Sequence, residues 1–355
     1  MNAPLLGTPN TGETILITGA AGCIGSALVR SLASSNPRFL ILFDRSEQNL
    51  YEINLQLAAS GCSSYAAILG DILDAPLLNE IFDRYRPRTI YHAAAFKHVP
   101  LMETNPLAAV RNNALGTWEL AKTAARFGAE RLLMISTDKA VNPRSIMGAS
   151  KRAAELALLA LSETTGGAVG TKMNAVRLGN VLDSQGSVGP LFQQQIQHGG
   201  PVTVTHPEAT RYFLMLDETV DLVMAAAALD DSGSIFIPKM CEPVKILDFA
   251  KRMIRNAGLE TPRDIEIVFI GLRPGDKLEE ELAYADEALQ LSNDERLYRA
   301  IGPRYAAPVL NSQLQDISES VRERNLTAMI TALCKLVPEY QPSESLLALL
   351  NPSLT

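Results

Sequence analysis

Cysteine is scarce in this sequence of 355 residues, and its four copies are far apart. Cys23, Cys62, Cys241 and Cys334 show none of the short spacings that bind zinc, so neither a metal site nor a disulfide-rich scaffold is predicted. We expect these cysteines to be reduced, as in a cytoplasmic protein.

Long apolar runs and clusters of basic residues are also missing. No apolar run reaches the roughly 18 residues that span a bilayer, and residues 1–13 lack the basic and apolar regions of a signal peptide. Lysine and arginine are scattered and the formal net charge is −7, which argues against nucleic acid as a partner. We therefore expect a cytoplasmic protein with no membrane segment.

The first half of the chain alternates short apolar runs with stretches of helical periodicity. The predicted strands cover residues 14–18, 39–43, 65–69, 89–92 and 131–136, and the predicted helices cover residues 24–34, 47–59, 77–85 and 108–127. Strands that alternate with helices of about 10–15 residues predict βαβ units and a parallel sheet. The predicted fold class is α/β, a Rossmann-type doubly wound parallel sheet with a smaller C-terminal substrate lobe.

The pattern changes after about residue 180, where Gly, Ser and Pro turns separate short elements. We predict a cofactor domain over residues 10–180 and a substrate lobe, interleaved with the core, over residues 181–285. Residues 286–355 are predicted to form a polar, helical C-terminal extension.

A glycine-rich turn follows the first predicted strand directly and opens a helix. It predicts a site for the pyrophosphate of NAD, because glycine allows a tight turn and a close backbone approach, and a helix N-terminus attracts negative charge. An acidic residue, Asp44, follows at the distance typical of ribose recognition. Its neighbour Arg45 leaves NADP open as an alternative. The residues predicted to bind the pyrophosphate are Gly19, Ala21, Gly22, Cys23, Ile24 and Gly25.

Other predicted strand ends complete the cofactor site. Asp71, with Ile72 beside it, follows the third strand and is predicted to contact adenine; capping of the next helix is the alternative for Asp71. Ala93 and Ala94 follow the fourth strand, where small side chains leave room for a dinucleotide.

Polar residues also follow the strand at 131–136. Thr137, Asp138 and Lys139 stand at the edge of the sheet where ligands bind in open α/β folds. Met147 and Lys151 are four residues apart, so on a helix they share one face. For an isolated Asp-Lys pair a solvated ion pair would be the better interpretation, but this position favours a catalytic one.

These motifs resemble those of the extended short-chain dehydrogenases/reductases, in which a Tyr usually stands where this chain has Met147. The resemblance is narrower to the UDP-N-acetylglucosamine 4,6-dehydratases of capsular and surface polysaccharide synthesis, and it covers roughly residues 10–340. Many of those proteins carry membrane helices ahead of this domain, so a short form and an excised domain are both open. The matching stretches are residues 92–102, 136–151, 177–190, 200–213 and 271–282.

The resemblance implies a lyase that oxidises the sugar at C4, eliminates water across C5–C6 and returns hydride to C6. It implies that Thr137 binds the C4 oxygen, that Asp138 is the acid and Lys139 the base, and that Lys151 holds the nicotinamide ribose. Met147 cannot transfer a proton and would shape an apolar wall. The group that accepts the C4 hydroxyl proton stays open between water, Thr137 and a substrate phosphate. Burial would raise the pKa of Asp138 and lower that of Lys139, as the reaction requires, whereas an ion pair would oppose both shifts.

The resemblance also predicts contacts to the UDP-sugar. They are assigned to Lys97, His98, Asn180, Arg211, Arg273 and Glu280. The two arginines suit a diphosphate, because a guanidinium binds two oxygens at once. Solvated loop or helix positions are the alternatives for His98 and Glu280.

Three functional hypotheses follow. The leading one is a UDP-N-acetylglucosamine 4,6-dehydratase, with retention at C5 favoured by the similarity of residues 140–151 to that branch. A UDP-sugar 4-epimerase would not need the Asp138–Lys139 pair, and a dinucleotide-binding regulator would need no acid–base pair at all. A homo-oligomer is expected from the fold.

Overall fold

A computed structural model describes residues 10–164, 170–182, 184, 186–303 and 306–350. The strands in these ranges are β1 (Thr14–Thr18), β2 (Phe39–Asp44), β3 (Tyr65–Leu69), β4 (Thr89–His92), β5 (Arg131–Thr137), β6 (Lys172–Leu178), β7 (Asn180–Val181), β8 (Val202–Val204), β9 (Thr210–Arg211), β10 (Phe213–Leu214), β11 (Ser234–Pro238), β12 (Val244–Lys245), β13 (Ile267–Phe269), β14 (Ala288–Leu291) and β15 (Leu297–Ile301). The α-helices are α1 (Cys23–Ala33), α2 (Glu47–Ala59), α3 (Ala75–Tyr85), α4 (Val99–Glu103), α5 (Pro106–Val110), α6 (Gly116–Arg126), α7 (Ile146–Thr164), α8 (Val188–Gln197), α9 (Leu216–Ala228), α10 (Ile246–Asn256), α11 (Ala307–Arg322), α12 (Leu326–Leu336) and α13 (Glu344–Leu350).

Nine strands form one sheet in the order β3-β2-β1-β4-β5-β6-β11-β15-β14. The seven strands from β3 to β11 in this order are parallel. Strands β15 and β14 continue the sheet beyond β11, and each pairs antiparallel with its neighbours. The strand order 3-2-1-4-5-6 is that of the doubly wound dinucleotide-binding fold. The predicted fold class is therefore confirmed.

Successive residues of the central strands bury opposite faces of the sheet. Ile15 and Ile17 of β1 pack in the core under α1, α2 and α9, while Leu16 packs in the core under α3 and α6. Strands buried on both faces explain the continuous apolar sequence at residues 14–18. Helices on both sides leave the carboxyl ends of the strands as the open edge, where the loops form a site.

A smaller lobe stands beside this edge. Helices α8 and α10 and the paired strands β8 and β13 enclose a core that includes Phe192, Phe249 and Ile265. Between α8 and α10 in the sequence, the chain returns to the main domain to form α9 and β11. The lobe is therefore interleaved with the core. The boundaries at residues 180 and 285 stay a prediction.

The C-terminal segment differs from the prediction of helix alone. Strands β14 and β15 pair with each other and continue the sheet from β11, so residues 288–291 and 297–301 are extended. Hydrogen bonds to an existing sheet edge supply the stabilisation that a short polar helix would lack. Helices α11 and α12 then cover α7, whose alanine-rich sequence allows close packing.

The helix predicted over residues 108–127 is observed as a continuous helical stretch from α5 to α6, with helical backbone angles at both junctions. A π turn at Arg111–Leu115 lies within it. Extra residues of this kind redirect side chains and are frequent at functional sites. No helix in the described ranges has both the length and the apolar character to cross a bilayer.

Candidate active site

The turn after β1 is built on glycines that have no space for a side chain. Gly19 has a φ of +66°, and a Cβ on it would stand 2.6 Å from the Ala94 nitrogen. A Cβ on Gly25 would stand 1.9 Å from the Gly19 carbonyl oxygen. The turn, β4 and the start of α1 are therefore in backbone contact, and α1 presents its first N–H groups at the open edge of the sheet.

Asp44 ends β2 and is tied to this turn. Its carboxylate accepts hydrogen bonds from the backbone N–H groups of Ala21 (2.9 Å) and Ser46 (2.9 Å). Arg45 lies over the ring of Phe96, with its guanidinium carbon 4.1 Å from the ring centre. A cavity of about 210 Å³ opens here, and its lining includes the predicted residues Gly19, Gly22, Asp44, Arg45, Asp71, Ile72, Ala93 and Ala94.

The alternative role predicted for Asp71 is not the one observed. Helix α3 is capped by Asp74, whose side chain accepts from the Leu77 N–H at 3.1 Å. The Asp71 carboxylate accepts from the Leu73 N–H at 3.0 Å and closes the turn between β3 and α3. Asp71 therefore shapes the rim of the cavity without capping the helix.

A second cavity of about 450 Å³ adjoins the first and reaches the small lobe. Its walls combine the glycine turn with the residues predicted for the reaction. The predicted residues that line it are Gly19, Gly22, Cys23, Ile24, Gly25, Ala93, Lys97, His98, Thr137, Lys139, Met147, Lys151 and Asn180. The structure thus places the predicted cofactor and reaction residues around one crevice.

Thr137, Asp138 and Lys139 form a hydrogen-bonded group at the end of β5. Asp138 is fully buried, and its Oδ1 accepts from the Thr137 hydroxyl (2.9 Å) and from Lys139 Nζ (2.9 Å). Asp138 Oδ2 is buried with no hydrogen-bond partner in the described part of the chain. Lys139 Nζ also donates to Asn180 Oδ1 at 3.1 Å and lies 3.4 Å from Glu280 Oε1.

The neighbouring carboxylates of Asp138 and Glu280 determine the pKa of Lys139. Burial lowers the pKa of Lys139, but the carboxylates of Asp138 and Glu280 raise it by more, so the pKa lies above its ordinary value. Of the two opposing effects named from the sequence, the ion pair prevails over burial in this structure. The ion pair outweighs desolvation because the charges are in direct contact.

Met147 and Lys151 lie one turn apart near the start of α7, and both line the second cavity. Lys151 is buried, and burial lowers its pKa to about 8 against the opposing charge of Glu155. Met147 is also buried and packs in the core between α7 and the C-terminal helices. It presents an apolar surface to the cavity and has no group that can transfer a proton.

Two buried polar residues that the sequence did not single out support the crevice. His92 is hydrogen-bonded on both sides, to the Thr18 hydroxyl (2.7 Å) and the Thr117 hydroxyl (2.8 Å). Burial, with the charge of Lys151, lowers the pKa of His92 to about 3, which keeps it neutral. It fixes the end of β4 between β1 and α6.

Asn113, in the π turn, holds the chain after β4. Its side-chain oxygen accepts from the Phe96 N–H (2.8 Å). Its side-chain nitrogen donates to the Phe96 carbonyl (3.0 Å) and to the Ser150 hydroxyl (3.0 Å). The segment that carries Lys97 and His98 is thereby attached to α7. An Asn pair within a predicted helix, at residues 112–113, was the only sequence signal for this role.

Arg211 and Arg273 are not brought together at the crevice. The buried Arg211 guanidinium donates to backbone carbonyls of Thr210 (2.6 Å) and Lys277 (2.8 Å). Arg273 pairs with Asp276 at 2.8 Å and lines a separate groove of about 1180 Å³ beside residues 339–345. The structure as described therefore offers no paired guanidinium clamp for a diphosphate.

Glu280 lies in neither an exposed helix nor the wall of the cavity. It is buried behind Lys139, with Oε1 3.6 Å from Arg211 Nε. In the described ranges, no three His, Cys, Asp or Glu side chains are arranged to hold a metal ion.

Comparison with known proteins places this geometry in a family. Residues 15–301 match the family described as polysaccharide biosynthesis protein. The chain belongs to this family. It is 41% identical over 328 residues to the capsular polysaccharide biosynthesis protein CapD of Staphylococcus aureus, covering 92% of this chain and 54% of that protein. The chain thus spans about half the length of this relative.

Other members of the family match over most of their length. A UDP-N-acetylglucosamine 4,6-dehydratase (inverting) of Campylobacter jejuni is 31% identical, covering 82% of this chain and 83% of that one. A UDP-glucose 4-epimerase of Rickettsia rickettsii is also 31% identical, with 81% and 82% covered. The family therefore includes both dehydratases and epimerases.

Solved structures share this fold. The structure of Pen from Bacillus thuringiensis superposes with a TM-score of 0.77 at 29% identity, covering 84% of this chain and 90% of that one. DesIV, a dTDP-glucose 4,6-dehydratase from Streptomyces venezuelae solved with NAD, superposes with a TM-score of 0.66 at 22% identity, covering 76% and 88%. The latter likeness shows the fold.

Proposed function

We propose that this chain is a nucleotide-sugar 4,6-dehydratase that uses bound NAD and acts on UDP-N-acetylglucosamine in surface polysaccharide synthesis. The observation that carries the proposal is the Asp138–Lys139 ion pair at the crevice. Lys139 lines the crevice together with Thr137, Met147 and Lys151, and Asp138 is buried directly behind it. An acid and a base in contact are what an elimination of water requires. The dehydratase of Campylobacter jejuni supports the substrate and the reaction.

The crevice fits a dinucleotide. The N–H groups at the start of α1 suit a pyrophosphate, and Asp44 suits ribose hydroxyls and would repel a 2′-phosphate, which favours NAD over NADP. Lys151 would hold the nicotinamide ribose at the far end. When bound, the dinucleotide supplies the hydride acceptor for C4 and the donor for C6.

The contact between Asp138 and Lys139 sets up the elimination. Moving one proton from Nζ to Oδ1 across 2.9 Å turns the ion pair into a neutral acid and a neutral amine, with no exchange with solvent. Lys139 then takes the C5 proton while Asp138 protonates the departing C6 hydroxyl. This step returns both groups to their charged forms, so the resting ion pair is also the state after elimination.

The reaction is tested by mixing the purified chain with NAD and UDP-N-acetylglucosamine and following product mass. We expect a product that has lost one water. Some relatives are 4-epimerases, and a product of unchanged mass with inverted C4 would favour that function for this chain. Solution NMR of the dehydrated product in deuterated water then gives the configuration at C5. The Campylobacter jejuni relative is an inverting dehydratase, but we expect retention here because residues 140–151 resemble the retaining branch.

The pKa of Lys151 predicts how cofactor binding depends on pH. Because this pKa is lowered to about 8, the side chain is charged below pH 8 and neutral above it. We expect NAD affinity to be constant below about pH 8 and to fall above it by up to about tenfold per pH unit. Calorimetric titration between pH 6.5 and 9.5 measures this.

The comparison variant is Lys151→Met, which keeps the length and apolar stem of the side chain. It is expected to bind NAD more weakly and to lose the step near pH 8. A variant with the same step as the unaltered protein would assign that step to another group.

A further inference from the structure

The three N–H groups of the Lys139 ammonium meet three oxygens. Asp138 Oδ1 is at 2.9 Å, Asn180 Oδ1 at 3.1 Å and Glu280 Oε1 at 3.4 Å. The first two contacts are hydrogen bonds, and the third is an ion pair that adds a second carboxylate to the ammonium. Asp138 and Asn180 follow neighbouring strands of the main sheet, whereas Glu280 is brought by a distant loop.

Glu280 is a buried carboxylate whose ion pairs are with Lys139 and Arg211. Its side chain is 2% exposed, and Oε2 has no hydrogen-bond partner in the described ranges. A buried carboxylate with an unsatisfied oxygen is costly unless cations lie close. The charged groups that face it are Lys139, Asp138, Arg211 and Lys277. Arg211 is itself held by backbone carbonyls, and Lys277 donates to the Val141 carbonyl, so Lys139 at 3.4 Å is the lysine in direct contact with Glu280.

We propose that Glu280 is a positioning residue that holds the Lys139 ammonium against Asp138 and stabilises its charged form. The proposal rests on the base role proposed for Lys139. While Lys139 is neutral, Glu280 stays paired with Arg211 at 3.6 Å. Once Lys139 has taken the C5 proton, Glu280 stabilises the new ammonium, so the carboxylate favours the step in which the base becomes charged.

Chemical labelling tests this contact without any catalytic assay. Acetic anhydride reacts with neutral amines, so the initial labelling rate of Lys139 at pH 8, measured by peptide mass spectrometry against exposed Lys251, reports its neutral fraction. Removing the carboxylate in Glu280→Gln should raise this rate at least about threefold, since each unit of pKa changes the neutral fraction about tenfold. Glu280→Asp, which keeps the charge, should give a smaller rise.

Glu279→Gln is the matched control, because Glu279 is the exposed neighbour and loses the same charge. It should label Lys139 at the unaltered rate. A Glu280→Gln protein that is folded by circular dichroism and labels Lys139 no faster than Glu279→Gln overturns the proposal. The pH profile of water loss adds a second readout, in which the limb that rises with pH should move to lower pH in Glu280→Gln.

The two proposals fail in different ways. If the unaltered chain forms no dehydrated product but Glu280→Gln speeds labelling, the dehydratase function is wrong and the placement of Glu280 stands. If dehydration occurs and labelling is unchanged, the role of Glu280 is wrong and the function stands.

Discussion

Replacing Asp138 by asparagine is expected to lower the rate of water loss by about 10²–10⁴-fold, the usual contribution of a general acid. Asparagine keeps the volume of this fully buried side chain and can still accept from Thr137 and Lys139. It has no proton to give to the departing C6 hydroxyl. The measurement is kcat for dehydrated product by mass spectrometry, together with the affinity for NAD.

The control for this substitution is Asp264→Asn, at a residue paired with Arg263 far from the crevice. It is expected to leave the rate unchanged. Asp138→Asn should bind NAD as the unaltered protein does, because the groups proposed to hold NAD, which are the first N–H groups of α1, Asp44 and Lys151, are unchanged. Full-speed dehydration by a folded Asp138→Asn protein would remove Asp138 from the reaction and with it the proposed mechanism.

The second large effect is expected on stability, from a buried ionic network behind the crevice. Arg177 is fully buried, and its guanidinium donates to both oxygens of Glu155 and both oxygens of Glu287. Burial acts to raise the pKa of Glu155, but Arg177 and Arg152 lower it to about 2. Ser136, the residue before Thr137, donates to the same carboxylate at 2.6 Å. The network therefore supports the strand that ends in the reaction residues.

Arg177→Ala is expected to lower the free energy of unfolding by about 3–5 kcal/mol, because it leaves buried Glu287 without its cation and Glu155 with Arg152 alone. Chemical denaturation measured by circular dichroism checks this. Arg296→Ala removes an ion pair of similar geometry with Asp294, but that arginine is more than half exposed. It should change the free energy by less than about 1 kcal/mol. Equal effects of the two substitutions would contradict the role given to the buried network.

Much of the fold could be predicted because the signals are local. The apolar run at residues 14–18, the glycine turn and the following helix lie within about twenty residues, and the structure places them as predicted. The carboxyl ends of parallel strands lie at one edge of a sheet, so the strand pattern was enough to predict that Thr137 and Lys139 lie near Gly19. The position of Lys151 beside Met147 was predicted from the helical spacing of four residues.

One prediction failed, and one detail was not predicted, for the same physical reason. Residues 288–291 and 297–301 form strands and not helix, and β15 pairs with β11, which lies far away in the chain. Within the predicted helix, the π turn at residues 111–115 carries Asn113, which makes contacts with Phe96 and Ser150. Both features involve tertiary contacts, which local propensity does not encode.

The sequence by itself determined the doubly wound sheet, the glycine turn of the crevice and the residues at the strand ends, because hydrophobic period and glycine turns act over short distances. Only the tertiary structure decided the electrostatics of the site. Glu280 meets Lys139 and Arg211 is taken up by backbone carbonyls because loops distant in sequence pack together. The charge of a buried group depends on every neighbour in space, and no local pattern encodes those neighbours.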